Sequence, residues 1–145
     1  MNDVCKTVVE KGGYDFAWVG LMMGDGNEAL TPVARAGHKQ GYLEVIRQVN
    51  PVCDPTFSVL KTRQIQVNHT IRPENCPIAA AYQWAAVLSA PLIANEQVMG
   101  VLSVYAVDAN ALQDEEVALL GELAEDLAFG ITTRRMQVDH QRMAL

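Results

Sequence analysis

Residues 98–106 read VMGVLSVYA, and nearly every position is apolar. Successive side chains of a strand point to opposite faces. Val98, Gly100, Leu102, Val104 and Ala106 therefore share one face, and Met99, Val101, Ser103 and Tyr105 the other. Neither set suits water. A strand apolar on both sides belongs at the centre of a sheet that is covered twice.

The neighbouring segments supply that sheet. VLSAPLIA (87–94) is a second apolar strand, joined to QVMGVLSVYAV (97–107) across Asn95-Glu96. FAWVGLMM (16–23) and ALTPVARAG (29–37) flank the polar turn GDGNE and form another hairpin. IQVNH (65–69) is a short strand between them. Hairpins demand antiparallel pairing, because parallel neighbours need crossovers of a dozen residues or more.

Helical periods fill the remainder. Val4, Cys5, Val8 and Val9 form a short stripe that ends at Gly12-Gly13, with Asn2 or Asp3 as its cap. GYLEVIRQV (41–49) predicts a short helix closed before Pro51. VCDPTFSVLKTRQ (52–64) predicts a turn and one or two helical turns, TIRPENCP (70–77) a loop, and IAAAYQWA (78–85) a helix. DEEVALLGELAEDLAFGITTRRMQVDHQ (114–141) is one long helix, with acids in its first turn and Arg134 and Arg135 late, as the helix dipole favours. The fold class is α+β, a central antiparallel sheet with helices packed on its faces.

Two covers are then required. Val117, Leu120, Ala124, Leu127 and Ile131 make one stripe on the long helix, which Leu119 and Leu123 widen. Part of it fits the sheet and part a partner helix in a bundle; a monomeric helix packed on the sheet alone is the alternative. The second cover falls to residues 41–85, an irregular segment holding Phe57, Ile71, Tyr82 and Trp84. Loops and short helices draped over a sheet enclose small-molecule cavities, and a filled satellite core leaves the same trace.

Composition narrows the function. The 145 residues are 50% hydrophobic and 19% charged, with a net charge of −6, which describes a globular chain. An acidic balance with no basic cluster argues against nucleic acid and anionic membranes as partners. Arg134, Arg135 and Arg142 read as a solvated helix face. No apolar run approaches the roughly 18 residues that span a bilayer. The amphipathic, acid-bearing start is unlike a secretory signal, so the expected compartment is cytoplasmic. Cys5, Cys53 and Cys76 are odd in number and lack CxxC spacing, which argues against a disulfide framework and a zinc site.

Four stretches, GGYDFAWVGL (12–21), VARAGHKQGYL (33–43), SAPLIANEQVMGVLSVYA (89–106) and EEVALLGELAEDLAFGI (115–131), resemble the GAF family of small-molecule sensor domains in their order and spacing. The resemblance implies a six-stranded antiparallel sheet, terminal helices on one face, and a ligand pocket under loops and short helices on the other. It also implies a homodimer through the terminal helices that passes the signal to an output domain. Residues 1–145 then form a single GAF domain of a larger signalling protein, with more helix before VCKTVVEKGGY in relatives.

The departures bear on the ligand. Asp54-Pro55-Thr56-Phe57 stands where relatives carry a GPTG-like turn, Thr70-Ile71 where they carry Asp-Ile, and Gln83-Trp84-Ala85-Ala86 where they carry Gly-Tyr-Arg-Ser. Without that guanidinium, a ligand should be less anionic than a nucleotide.

The candidate ligand residues are Thr56, Phe57, Asn68, His69, Tyr82, Trp84, Ser103 and Tyr105. Phe57, Tyr82 and Trp84 would wall the pocket, or fill it as core. Thr56 and Asn68 would orient a ligand or cap a turn. Ser103 and Tyr105 share the face expected to form the floor. His69 is the one histidine placed to ligate a haem, and a polar histidine bonded to backbone at a strand end is the preferred reading of it.

The expected role is non-enzymatic, with no cofactor specified; no catalytic triad, P-loop or carboxylate pair emerges. A ligand-free dimerisation module is the first alternative. Methionine sulfoxide reduction is the second, since one branch of the family performs it with loop cysteines. Cys53 and Cys76 lie in the two middle loops, without a neighbouring Lys or His to activate a thiolate.

Overall fold

The computed structural model describes residues 2–22, 30–37, 41–48 and 53–143. In chain order they form α1 (Asn2–Gly12), β1 (Phe16–Met22), β2 (Leu30–Gly37), α2 (Tyr42–Gln48), α3 (Ser58–Thr62), β3 (Gln66–Asn68), α4 (Pro77–Ala81), β4 (Ala86–Ala94), β5 (Gln97–Ala106) and α5 (Asp114–Met143). The strands pair antiparallel in the order β2-β1-β5-β4-β3, which puts VMGVLSVYA on the central strand. The α+β class stands. Five strands are present among the described residues, where the family resemblance implied six.

Each face of the sheet carries its own core. On one side Ala17, Val19 and Leu21 of β1, Leu88 and Leu92 of β4, and Leu102 and Val104 of β5 pack beneath Cys5 and Val8 of α1 and Leu120, Ala124, Ala128 and Ile131 of α5. On the other, Phe16, Trp18, Val87, Val101 and Tyr105 pack under Tyr42, Leu43, Val59, Ile71, Ala79 and Trp84 from the irregular middle. That division explains why the central strands tolerate so few polar side chains. It also joins sequence pattern to packing: the period of two on β1, β4 and β5 sorts the side chains between the two cores.

Two expectations need correction. Met99 packs with the α5 side instead of joining Val101, Ser103 and Tyr105. The register passes from Leu92↔Gly100 to Ile93↔Val98, so Met99 is an extra, unpaired residue, and the bulge turns it over. The helix predicted over 78–85 stops at Ala81, because Gln83 adopts a left-handed backbone (φ 68°). Trp84 is thereby released from a helical face and enters the space over the sheet.

Gly100 marks a close approach of β1 and β5. A Cβ at this position would lie 2.0 Å from the Gly20 carbonyl oxygen. Gly100→Ala must therefore push the central strands apart. The expected cost is about 2–3 kcal/mol, measured as a lower urea midpoint; an unchanged midpoint would contradict the close approach.

Candidate functional site

The segment Asp54-Pro55-Thr56 folds on itself before α3. Asp54 Oδ1 accepts the Thr56 backbone N–H at 3.0 Å and its hydroxyl at 2.6 Å, the local bonding by which aspartate shapes turns. The Pro55 carbonyl then accepts the Val59 N–H and starts the helix. This geometry drives the carboxylate inward, to 5% exposure.

The other carboxylate oxygen, Oδ2, accepts two phenol hydroxyls at 2.6 Å, from Tyr42 on α2 and Tyr105 on β5. Tyr105 in turn accepts the indole N–H of Trp18 at 3.0 Å. Thr56 spends its one hydroxyl proton on Asp54, so at its 2.7 Å contact with Ser103 it must accept. Ser103 must then accept from Ser89, also at 2.7 Å. A directed chain thus runs from Ser89 through Ser103 and Thr56 to the carboxylate. Such a network costs little while every member is satisfied and a great deal when one is removed.

Aromatic rings fill the space around it. Trp84 stacks on Tyr105, with centroids 4.3 Å apart, and on Tyr82 at 5.1 Å; Tyr42 meets it edge-on at 4.6 Å. The Trp84 indole N–H donates to Asp15 Oδ2 at 2.8 Å. Burial, and then the Asp54 charge, push the Tyr42 and Tyr105 hydroxyls well above the usual tyrosine range.

Of the sequence candidates, Thr56, Ser103, Tyr105, Trp84 and Tyr82 come together here, and Phe57 packs half-buried against the same core. Asn68 and His69 lie at the margin. Asn68 accepts from the Thr70 N–H and hydroxyl and donates to the Cys53 carbonyl, which fixes a turn. His69 is exposed, with Nδ1 3.2 Å from the Ala109 carbonyl oxygen. Asp54, Tyr42, Ser89 and Trp18 were not among the candidates. The Asp-Pro-Thr turn was the available signal for Asp54, and direct opposition to Ser103 across β4 and β5 identifies Ser89. No group of three His, Cys, Asp or Glu side chains suited to a metal occurs among the described residues.

The cysteine reading requires correction. Cys53 and Cys76 form a disulfide, with Cα atoms 5.8 Å apart and a sequence separation of 23. It ties the residue before Asp54 to the residue before α4. Parity could not exclude this bond, because Cys5, the remaining thiol, is buried on the sheet-facing side of α1. Burial raises its pKa to about 11.

Residues 1–132 match the GAF domain family. The chain belongs to that family. Solved structures agree in architecture. A GAF domain region of a putative membrane protein from Geobacter sulfurreducens PCA is 16% identical, with a TM-score of 0.75 over 92% of this chain and 91% of that one. A domain of a putative two-component sensor histidine kinase from Sinorhizobium meliloti 1021 is 17% identical, with a TM-score of 0.71 over 99% and 95%. The type II free methionine-R-sulfoxide reductase of Thermoplasma acidophilum is also 17% identical, with a TM-score of 0.69 over 88% and 86%. No curated protein matches by sequence. Among the described residues of this GAF domain, no helix is long and apolar enough to cross a membrane.

Two measurements check the site. Thiol counting at pH 8 without reductant should find no reactive cysteine in the native protein, one after unfolding, and three once the unfolded chain is reduced; more than one before reduction would refute the pairing. Spectrophotometric titration should show that Tyr42 and Tyr105 stay protonated until the protein unfolds. Their folded pKa values lie above the unfolded value near 10, so the native state holds protons that the unfolded state releases. Stability should therefore be intact below about pH 10 and fall above it.

Proposed function

We propose that this GAF domain is a non-enzymatic sensory module of a cytoplasmic signalling protein. A small molecule binds beneath the lid formed by α2, α3 and α4, and the signal leaves through α1 and α5 of a homodimer to an output domain. One observation carries this reading: Asp54 joins Tyr42 of the lid to Tyr105 of the central strand. The opposite face of β5 packs in the core shared with α1 and α5. A ligand that breaks the lid contact thus acts on a strand whose far side meets the terminal helices. To shift their packing it must favour one state by about 1–3 kcal/mol.

The helical surface suits a partner. Val4, Leu123, Leu127 and Ile131 line a groove of about 500 Å³ between α1 and α5, and Leu119 and Phe129 stand 65% and 74% exposed. Sedimentation should give a dimer, and Leu119→Glu with Phe129→Glu should raise its dissociation constant at least about tenfold. A wild-type monomer at every concentration would end the dimer proposal. Native mass spectrometry tests for a retained ligand. A dimer without ligand, unmoved by any titrated compound, would support a dimerisation module instead.

The disulfide favours a second reading, methionine sulfoxide reduction, since a disulfide in a reducing compartment is usually catalytic or redox-sensing. A thiolate of the reduced pair would attack the sulfoxide sulfur and release the thioether, leaving a sulfenic acid. The other thiol would condense with it, expelling water and restoring the disulfide, and a dithiol would supply two electrons and two protons for the next turn. Free methionine sulfoxide with dithiothreitol should then yield methionine at a rate that Cys53→Ser and Cys76→Ser each abolish. Turnover that survives both substitutions removes this reading.

A further inference from the structure

The chemistry around Asp54 restricts what could bind there. The carboxylate is nearly sealed from solvent, and its partners are all uncharged donors: two phenols, one hydroxyl and one backbone N–H. Buried charges are ordinarily paired with an opposite charge. No cationic group is among the hydrogen-bond partners of Asp54 in the described residues.

The rings add to that preference. Tyr42, Tyr82, Trp84 and Tyr105 pack against one another beside the carboxylate. Aromatic faces carry the negative part of the ring quadrupole and attract cations. A second carboxylate, Asp15, sits at the indole N–H of Trp84. The donors here are also committed. Trp18 donates to Tyr105, Trp84 to Asp15, and the Ser89–Ser103–Thr56 chain runs toward Asp54. An anion would meet two carboxylates, ring faces and occupied donors.

Tyr42 is the partner that can leave. Thr56 belongs to the same turn as Asp54, and Tyr105 lies on the central strand. Tyr42 opens α2, a helix of only seven residues at the lid. Its hydroxyl occupies Oδ2, and its ring covers Trp84 edge-on, beside the half-buried Tyr82.

We infer that the site takes a small organic cation, a compound with an alkylated ammonium group, which takes the place of the Tyr42 ring and hydroxyl at Asp54, beside Trp84 and the half-buried Tyr82. The inference rests on the sensory reading and gives it a ligand class. Tyr42 acts as an internal plug, so wild-type affinity is reduced by the fraction of molecules in which the plug is in place.

The experiment is an NMR titration of the full chain, without reductant, following the indole N–H signals of Trp18 and Trp84. The probes are choline chloride, its neutral isostere 3,3-dimethylbutanol, and sodium chloride at matched ionic strength. Choline should shift the Trp84 signal saturably in wild type, and at least about tenfold lower concentration should suffice in Tyr42→Ala. The alcohol should bind that variant at least tenfold more weakly than choline, and adding Asp54→Asn should erase the difference. Tyr42→Phe, which keeps the ring and drops the hydroxyl, replaces Tyr42→Ala if the latter gives no dispersed spectrum, and should also tighten choline binding. Equal binding of alcohol and choline would reduce the site to an apolar hole and overturn the inference. So would a folded Tyr42 variant that responds to choline no more than to sodium chloride. A neutral or anionic ligand found at Trp84 by native mass spectrometry would sink the cation and leave the sensory reading standing. Choline binding that leaves the α1 and α5 signals unmoved would do the reverse.

Discussion

Burying the Asp54 carboxylate is the constraint on which the arrangement over the sheet depends. A charged oxygen pair in an apolar setting must be saturated with donors, or it costs several kcal/mol. The chain meets that demand from three separate places: a helix at the lid, the turn holding Asp54, and the central strand. Tyr42, Thr56 and Tyr105 are therefore fixed relative to one another by a single group. The rings follow, because Trp84 can stack on Tyr105 only while that phenol stays anchored.

The same constraint links the two sides of the sheet. β5 is bound to Asp54 through Tyr105 on one face, while Leu102, Val104 and Ala106 on the other belong to the core beneath α1 and α5. A polar tie on one surface and dense packing on its reverse hold the strand from both sides. Interiors at crystal-like density move between discrete arrangements more readily than they deform. The disulfide adds a covalent tie between the turn holding Asp54 and the start of α4.

Much of this was legible in the sequence, because period-two alternation and hairpin spacing are local signals. VMGVLSVYA announced a doubly covered central strand, and the terminal helices followed from their stripes. What escaped had non-local causes. Met99 changed sides because one bulge shifts the pairing, which composition does not record. Tyr42 looked like one residue of a short amphipathic helix, and Asp54 like a substituted turn residue; their meeting is a product of tertiary folding. Ser89 stands out only once the hairpin register places it opposite Ser103. Counting cysteines failed for a related reason, since parity says nothing about which thiol is sequestered between α1 and the sheet.

The rims of the sheet complete the picture. At one rim, β2 carries Pro32, which has no N–H to offer, and the register skips at Val33. At the other, β3 is only three residues long. Open strand edges invite templated addition of further chains, and a proline, a bulge and brevity are devices that discourage it. A sheet so blunted makes a poor seed for fibrils and a poor template for strand-to-strand assembly.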